Sequence, residues 1–180
     1  DLFVMYEYYL LAQNPKKSLY DELVIQLKDK DPNNVIAEIK EFITNYKTEL
    51  YDKDDKLIYS FWYLRWGMYW KAILLTALTE NYAEYQEFAK VLRRYYYLNW
   101  IAGFTLTKIK QTSFNLIKWI KEKKPLIEIE NELNKNLTQN STVSRAVDNL
   151  NGEIYFDKWS KPLLFMIEYN QSDDSNLNFL

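Results

Sequence analysis

The stretch from Leu57 to Ile120 constrains this chain most, because it carries the densest apolar and aromatic material. It reads KLIYSFWYLRWGMYWKAILLTAL, NYAEYQEFAKVLRRYYYLNWIAG and FTLTKIKQTSFNLIKWIKEKK, helix-length runs broken at Thr79–Asn81 and at Gly103. Along the first run, Leu57, Phe61, Leu64, Met68, Leu74 and Leu78 keep near-helical spacing, and Trp62, Trp66, Tyr69 and Trp70 add a second covered face. A helix apolar almost all round is a buried one. The expected fold is therefore all-α, an irregular bundle of about seven to nine helices. Residues 1–56 read as N-terminal helices packing on an aromatic-rich helical core domain over 57–180.

Composition supports that class and removes several chemistries. With only 3 Gly and 4 Pro the chain lacks the tight turns of an all-β protein. The 16 Tyr and 6 Trp put many polar tips on apolar bodies, and each covered tip needs a hydrogen-bond partner. There is no Cys and no His, so disulfide frameworks, the common zinc sites and Ser-His-Asp triads cannot be built from this chain. No uncharged apolar run approaches the ~20 residues of a membrane span. No basic leader precedes the core either. A cytoplasmic protein without membrane contact is expected. Opening on Asp1 and closing on Asn176–Leu180 without a cap, it reads as an internal fragment of a longer chain.

Taken in order, Leu2, Met5, Tyr6, Tyr9 and Leu10 predict an opening helix, which Asn14-Pro15 ends. Ser18 with Asp21 has capping-box spacing ahead of Leu19, Leu23 and Leu27. Asp31-Pro32 begins a long amphipathic helix carrying Val35, Ile36, Ile39, Phe42, Ile43, Tyr46 and Leu50. Asp55 caps the first core helix, Asn81 the second, and Gly103 ends the second in a left-handed conformation. Thr105 or Thr107 opens the third. Pro125 starts a helix through Ile129, Leu133 and Leu137, and a further one holds Val143, Ala146, Val147 and Leu150. Ile154–Phe156 reads as extended, Asp157 as the cap of a last helix with Leu163, Leu164, Ile167 and Tyr169, and Gln171–Asn178 as a loose tail.

Charge is concentrated. From Arg93 to Lys124 the balance is +7, against -4 over residues 1–92 and -5 over residues 125–180. Arg93, Arg94, Lys108, Lys110, Lys118 and Lys121 are the candidate nucleic-acid-binding residues, since basic side chains beside aromatic ones suit phosphate contact and base stacking. The structural reading of the same residues is a solvated face, Arg stacked on rings, and lysines at the negative end of a helix dipole. No catalytic residue, metal ligand or cofactor is expected. Glu128, Glu130 and Glu132 alternate by two and share no helix face, Ser113 and Ser160 have no base nearby, and Gly67, Gly103 and Gly152 cannot form a phosphate loop.

Several ordered blocks are more distinctive than their composition. Trp62-Tyr63-Leu64-Arg65, Tyr69-Trp70-Lys71 and Leu92-Arg93-Arg94-Tyr95-Tyr96-Tyr97 precede Ile109-Lys110-Gln111-Thr112-Ser113-Phe114-Asn115, and Trp159-Ser160-Lys161-Pro162-Leu163-Leu164 and Ile167-Glu168-Tyr169 come last. This order resembles the helical middle region of GmrSD-type restriction proteins, over roughly residues 57–170. In that family a ParB/sulfiredoxin-like N-terminal domain carries an Asp-Gly-Gln-Gln-Arg type motif and acts with a nucleotide. An HNH-like C-terminal domain with a His-x-x-Pro type motif cuts DNA. Neither motif occurs here, so the resemblance implies a non-catalytic connector whose partners are the other domains of its parent chain and, through the basic face, DNA. The alternative reading is a protein-interaction or oligomerisation module built on the aromatic load.

Overall fold

The computed structural model describes residues 1–171, and the described residues form helices and loops without a strand. Ten α-helices follow in order: α1 (Leu2–Leu11), α2 (Leu19–Leu27), α3 (Pro32–Asn45), α4 (Lys56–Trp62), α5 (Gly67–Thr79), α6 (Tyr85–Ile101), α7 (Leu106–Lys121), α8 (Leu126–Gln139), α9 (Thr142–Leu150) and α10 (Ser160–Tyr169). The last turn of α3 widens into a π-helix, Tyr46–Tyr51. The fold is all-α and irregular, with one helix more than the upper end of the expected range. The predicted tail falls outside the described residues beyond Gln171.

Short polar residues set several of the boundaries. The Asp31 carboxylate accepts from the backbone amides of Asn33 at 2.9 Å and Asn34 at 3.1 Å, with Pro32 in the first turn where its missing N–H costs nothing. Asp55 accepts from the Leu57 amide at 2.7 Å. Ser18 accepts from the Asp21 amide at 3.2 Å while its hydroxyl donates to the Asp21 carboxylate at 2.7 Å. The box is thus half closed, because the carboxylate takes the hydroxyl proton rather than reaching back to the Ser18 backbone. Gly103 ends α6 at φ +76, a conformation that strains any residue with a Cβ.

The extra helix arises where the sequence pattern reads as continuous. Residues 57–78 are not one rod: the chain turns at Tyr63–Trp66, with Trp66 at φ 61, and separates α4 from α5. In an unbroken helix Phe61 and Trp70 would stand about 13 Å apart along the axis. The turn brings their ring centroids to 5.2 Å and those of Trp62 and Trp70 to 6.3 Å. Ring packing outweighs the local strain at Trp66.

Other boundaries shift for similar reasons. Asn81 does not cap α6. It adopts φ 49, and the Tyr82 amide donates to the Ala77 carbonyl at 2.8 Å, so this turn closes α5 instead. Ile154–Phe156 forms no strand, and α10 starts at Ser160 rather than after an Asp157 side-chain cap; the Asp157 carbonyl accepts from both the Ser160 amide and hydroxyl. Ile36, Ile43, Val143, Val147, Leu150, Leu164 and Ile167 are exposed although the pattern places them inward.

Helix α5 lies at the centre. Ala72, Ile73, Leu74, Leu75, Thr76 and Ala77 are all fully buried, as a helix apolar all round requires. It packs against α1, α3, α6 and α7, while α6 in turn carries α4, α8 and α9. Phe114 of α7 meets Tyr8 of α1 at 5.1 Å and Tyr69 of α5 at 5.8 Å, both edge-on. The three consecutive tyrosines of α6 are satisfied across helices: Tyr95 donates to Asn136 at 2.9 Å, Tyr96 pairs with Ser113 at 2.8 Å, and Tyr97 donates to the Ser60 and Pro162 carbonyls.

Candidate functional site

The six basic candidates do not meet on one open face. Arg93 is half buried and donates to the Ser60 hydroxyl at 3.1 Å and to Asn170 at 2.9 Å, joining α4, α6 and the end of α10. Burial pulls its guanidinium below the usual value. Arg94 pairs with Glu130 at 3.1 Å and with Asn134 at 2.9 Å, tying α6 to α8. Lys121 donates to the Tyr9 carbonyl at 2.8 Å and lies 4.5 Å from the Tyr9 ring, so it closes the last turn of α1. Its ammonium is pushed down by that burial, against the pull of Glu80 and Glu38. Lys118 stands 3.8 Å from Glu122, an exposed pair worth little. Lys108 covers the Phe104 ring at 5.8 Å. Lys110 alone of the six has no side-chain hydrogen bond, ion pair or ring contact among the described residues.

Sequence reading missed an aromatic cleft. Tyr51, Tyr59, Trp62, Tyr63 and Tyr169 line an open cleft of about 270 Å³ where the π-helix, α4 and α10 converge. The Asp52 amide donates to the Lys47 carbonyl at 2.8 Å, a five-residue step, and this widened turn lets Tyr46 and Tyr51 stack at 6.4 Å. In a regular α-helix residues five apart point ~140° from each other. Tyr51 then meets Trp62 edge-on at 5.9 Å, and Tyr59 meets Tyr169 at 5.9 Å. Tyr63 packs on Phe165 at 4.8 Å. The Tyr59 hydroxyl donates to the Asp54 carboxylate at 3.0 Å, which raises its pKa. The clustering of Tyr51, Tyr59, Trp62 and Tyr63 within residues 51–63 was visible in the sequence; Tyr169 was not connected to it by any local pattern.

Among the described residues no group of three or more acids converges as a metal site, and no helix is long and apolar enough to cross a membrane. Compared with protein families, with curated proteins and with solved structures, the chain finds no match.

Proposed function

We propose that this chain is a non-catalytic helical connector of a GmrSD-like DNA restriction endonuclease, working in the cytoplasm and holding the other domains of its parent chain in place. What supports this is the use made of its polar side chains. Arg93, Arg94, Lys121, Tyr95, Tyr96 and Tyr97 all bond across helices rather than into a cavity. Such a network resists relative motion of the helices, which is what a spacer requires. In this reading the nucleotide and nuclease functions belong to the flanking domains. The gene on either side tests it: a His-x-x-Pro stretch encoded beyond Leu180 is expected, and an unrelated neighbouring sequence sinks the connector.

A backbone contact with DNA, if this connector makes one, falls to Lys108, Lys110 and Lys118, whose ammonium groups are the least engaged of the six. Duplex DNA titrated across salt should show log K falling with log salt at a slope of about -2 to -3, one step per neutralised phosphate. Replacing the three lysines by Glu should abolish binding. Absence of binding at low salt removes the DNA contact while leaving the spacer role standing.

One observation favours the second reading, a protein-interaction or oligomerisation module. Val143, Val147 and Leu150 are 48%, 49% and 40% exposed on one face of α9, spaced as an apolar stripe. Under that reading sedimentation shows concentration-dependent self-association, and Val147→Glu returns the chain to a monomer. A strict monomer over the whole concentration range excludes oligomerisation through α9.

A further inference from the structure

The aromatic cleft has a chemistry of its own, independent of the connector reading. Its wall is made of five aromatic rings from three stretches of chain, and a ring face is electron-rich and attracts cations within ~6 Å of the centroid. The surrounding cluster already holds ammonium groups in this way. Lys71 lies 4.3 Å from the Trp62 ring, and Lys161 lies 5.6 Å from the Phe165 ring that packs on Tyr63. Neither lysine lines the cleft itself.

Charge at the rim selects a cation over an anion. Asp54, bonded to the Tyr59 hydroxyl, and Asp52, next to Tyr51, are both exposed carboxylates. The intervening Lys53 is neutralised by Glu49 at 2.6 Å. The wall is ring surface with few polar atoms, so it cannot replace the strong hydration shell of a primary ammonium. An alkylated ammonium carries little such hydration and loses little on entry. The cleft is also smaller than the ~300–1,000 Å³ of pockets for drug-sized ligands, which suits a compact head group.

We propose that Tyr51, Tyr59, Trp62, Tyr63 and Tyr169 form a binding site for a trimethylammonium group, with Asp54 supplying the complementary charge. Lys71, on the face of the same indole, opposes a second cation and sets a limit on affinity.

The test titrates the whole chain with choline and with its uncharged tert-butyl isostere, in which carbon replaces nitrogen, following tryptophan fluorescence. Choline should bind about tenfold tighter than the isostere, which isolates the charge from the shape. Tyr51→Ala removes an exposed ring without touching the core and should weaken choline about tenfold. Asp54→Asn should weaken choline and leave the isostere unchanged, and Lys71→Met should tighten choline alone. A peptide bearing trimethyllysine identifies the source: tighter binding than choline points to a modified protein tail, equal binding to a small molecule. Equal affinity for choline and the isostere, saturation by neither, or indifference to Tyr51→Ala with far-UV circular dichroism unchanged would each overturn the proposal.

Discussion

Above pH about 10 this protein unfolds cooperatively, because its buried phenols cannot ionise in place. Tyr6 donates to the Glu38 carboxylate, Tyr82 to the Lys124 carbonyl and Tyr97 to two carbonyls, while Tyr96 is wholly buried against Ser113. Burial, before any neighbouring charge, pushes all four above the ordinary tyrosine value, Tyr82 to about 12 and the others further. In the unfolded chain the same groups lose protons near pH 10. Between those limits the unfolded state holds fewer protons, so stability falls as pH rises, whereas below pH about 10 the contribution is intact.

Each phenol removes at most about 1.4 kcal/mol per pH unit, so four together reach roughly 5 kcal/mol per unit against a total stability of ~5–15 kcal/mol. Lys71 and Lys121, shifted down by burial, act in the opposite sense up to about pH 10.5, and they are outnumbered. Far-UV circular dichroism and the tyrosinate absorbance of the buried phenols should therefore change together in one step. Ionisation of every tyrosine near its ordinary value, with the helix signal intact, would contradict this account.

Phe114→Ala should be the most damaging single truncation, at about 3–5 kcal/mol. The Phe114 ring is fully buried and joins three helices, meeting Tyr8 of α1 and Tyr69 of α5 from its own place on α7. Its loss leaves a cavity that the two tilted tyrosine rings, themselves 5.3 Å apart, cannot fill without moving α1. For a chain of this size the melting temperature should drop by roughly 6–20 °C. Urea denaturation followed by circular dichroism measures it directly. A loss below about 1 kcal/mol would show that α1 is not anchored through this ring.

How far the sequence could be read differs from element to element. Asp31-Pro32, Asp55 and Gly103 act as their residue types imply, since a cap or a left-handed residue needs only its immediate neighbours. The continuous helix over 57–78 could not be corrected from the pattern. What breaks it is a contact between rings whose owners lie on either side of the break. Asn81 was ambiguous for a related reason: the same residue type caps a helix start or closes a helix end, and only the Ala77 carbonyl decides which.

The candidate site was less legible still. A cluster of Lys and Arg announces positive charge but not which distant groups engage it. Arg93 finds Asn170, 77 residues away, and Lys121 finds the Tyr9 carbonyl, 112 residues away. The aromatic cleft depends on a five-residue step in the backbone at Lys47–Asp52 and on the arrival of α10, neither of which has a periodic signature.

By itself, then, the sequence determined the helical class, the buried centre and most helix ends, because these follow from spacing along one chain and from bonds to near neighbours. Only the tertiary structure decided which cations are engaged, which apolar stripes stay open and where five rings converge, because partners far apart in sequence meet only once the helices have packed.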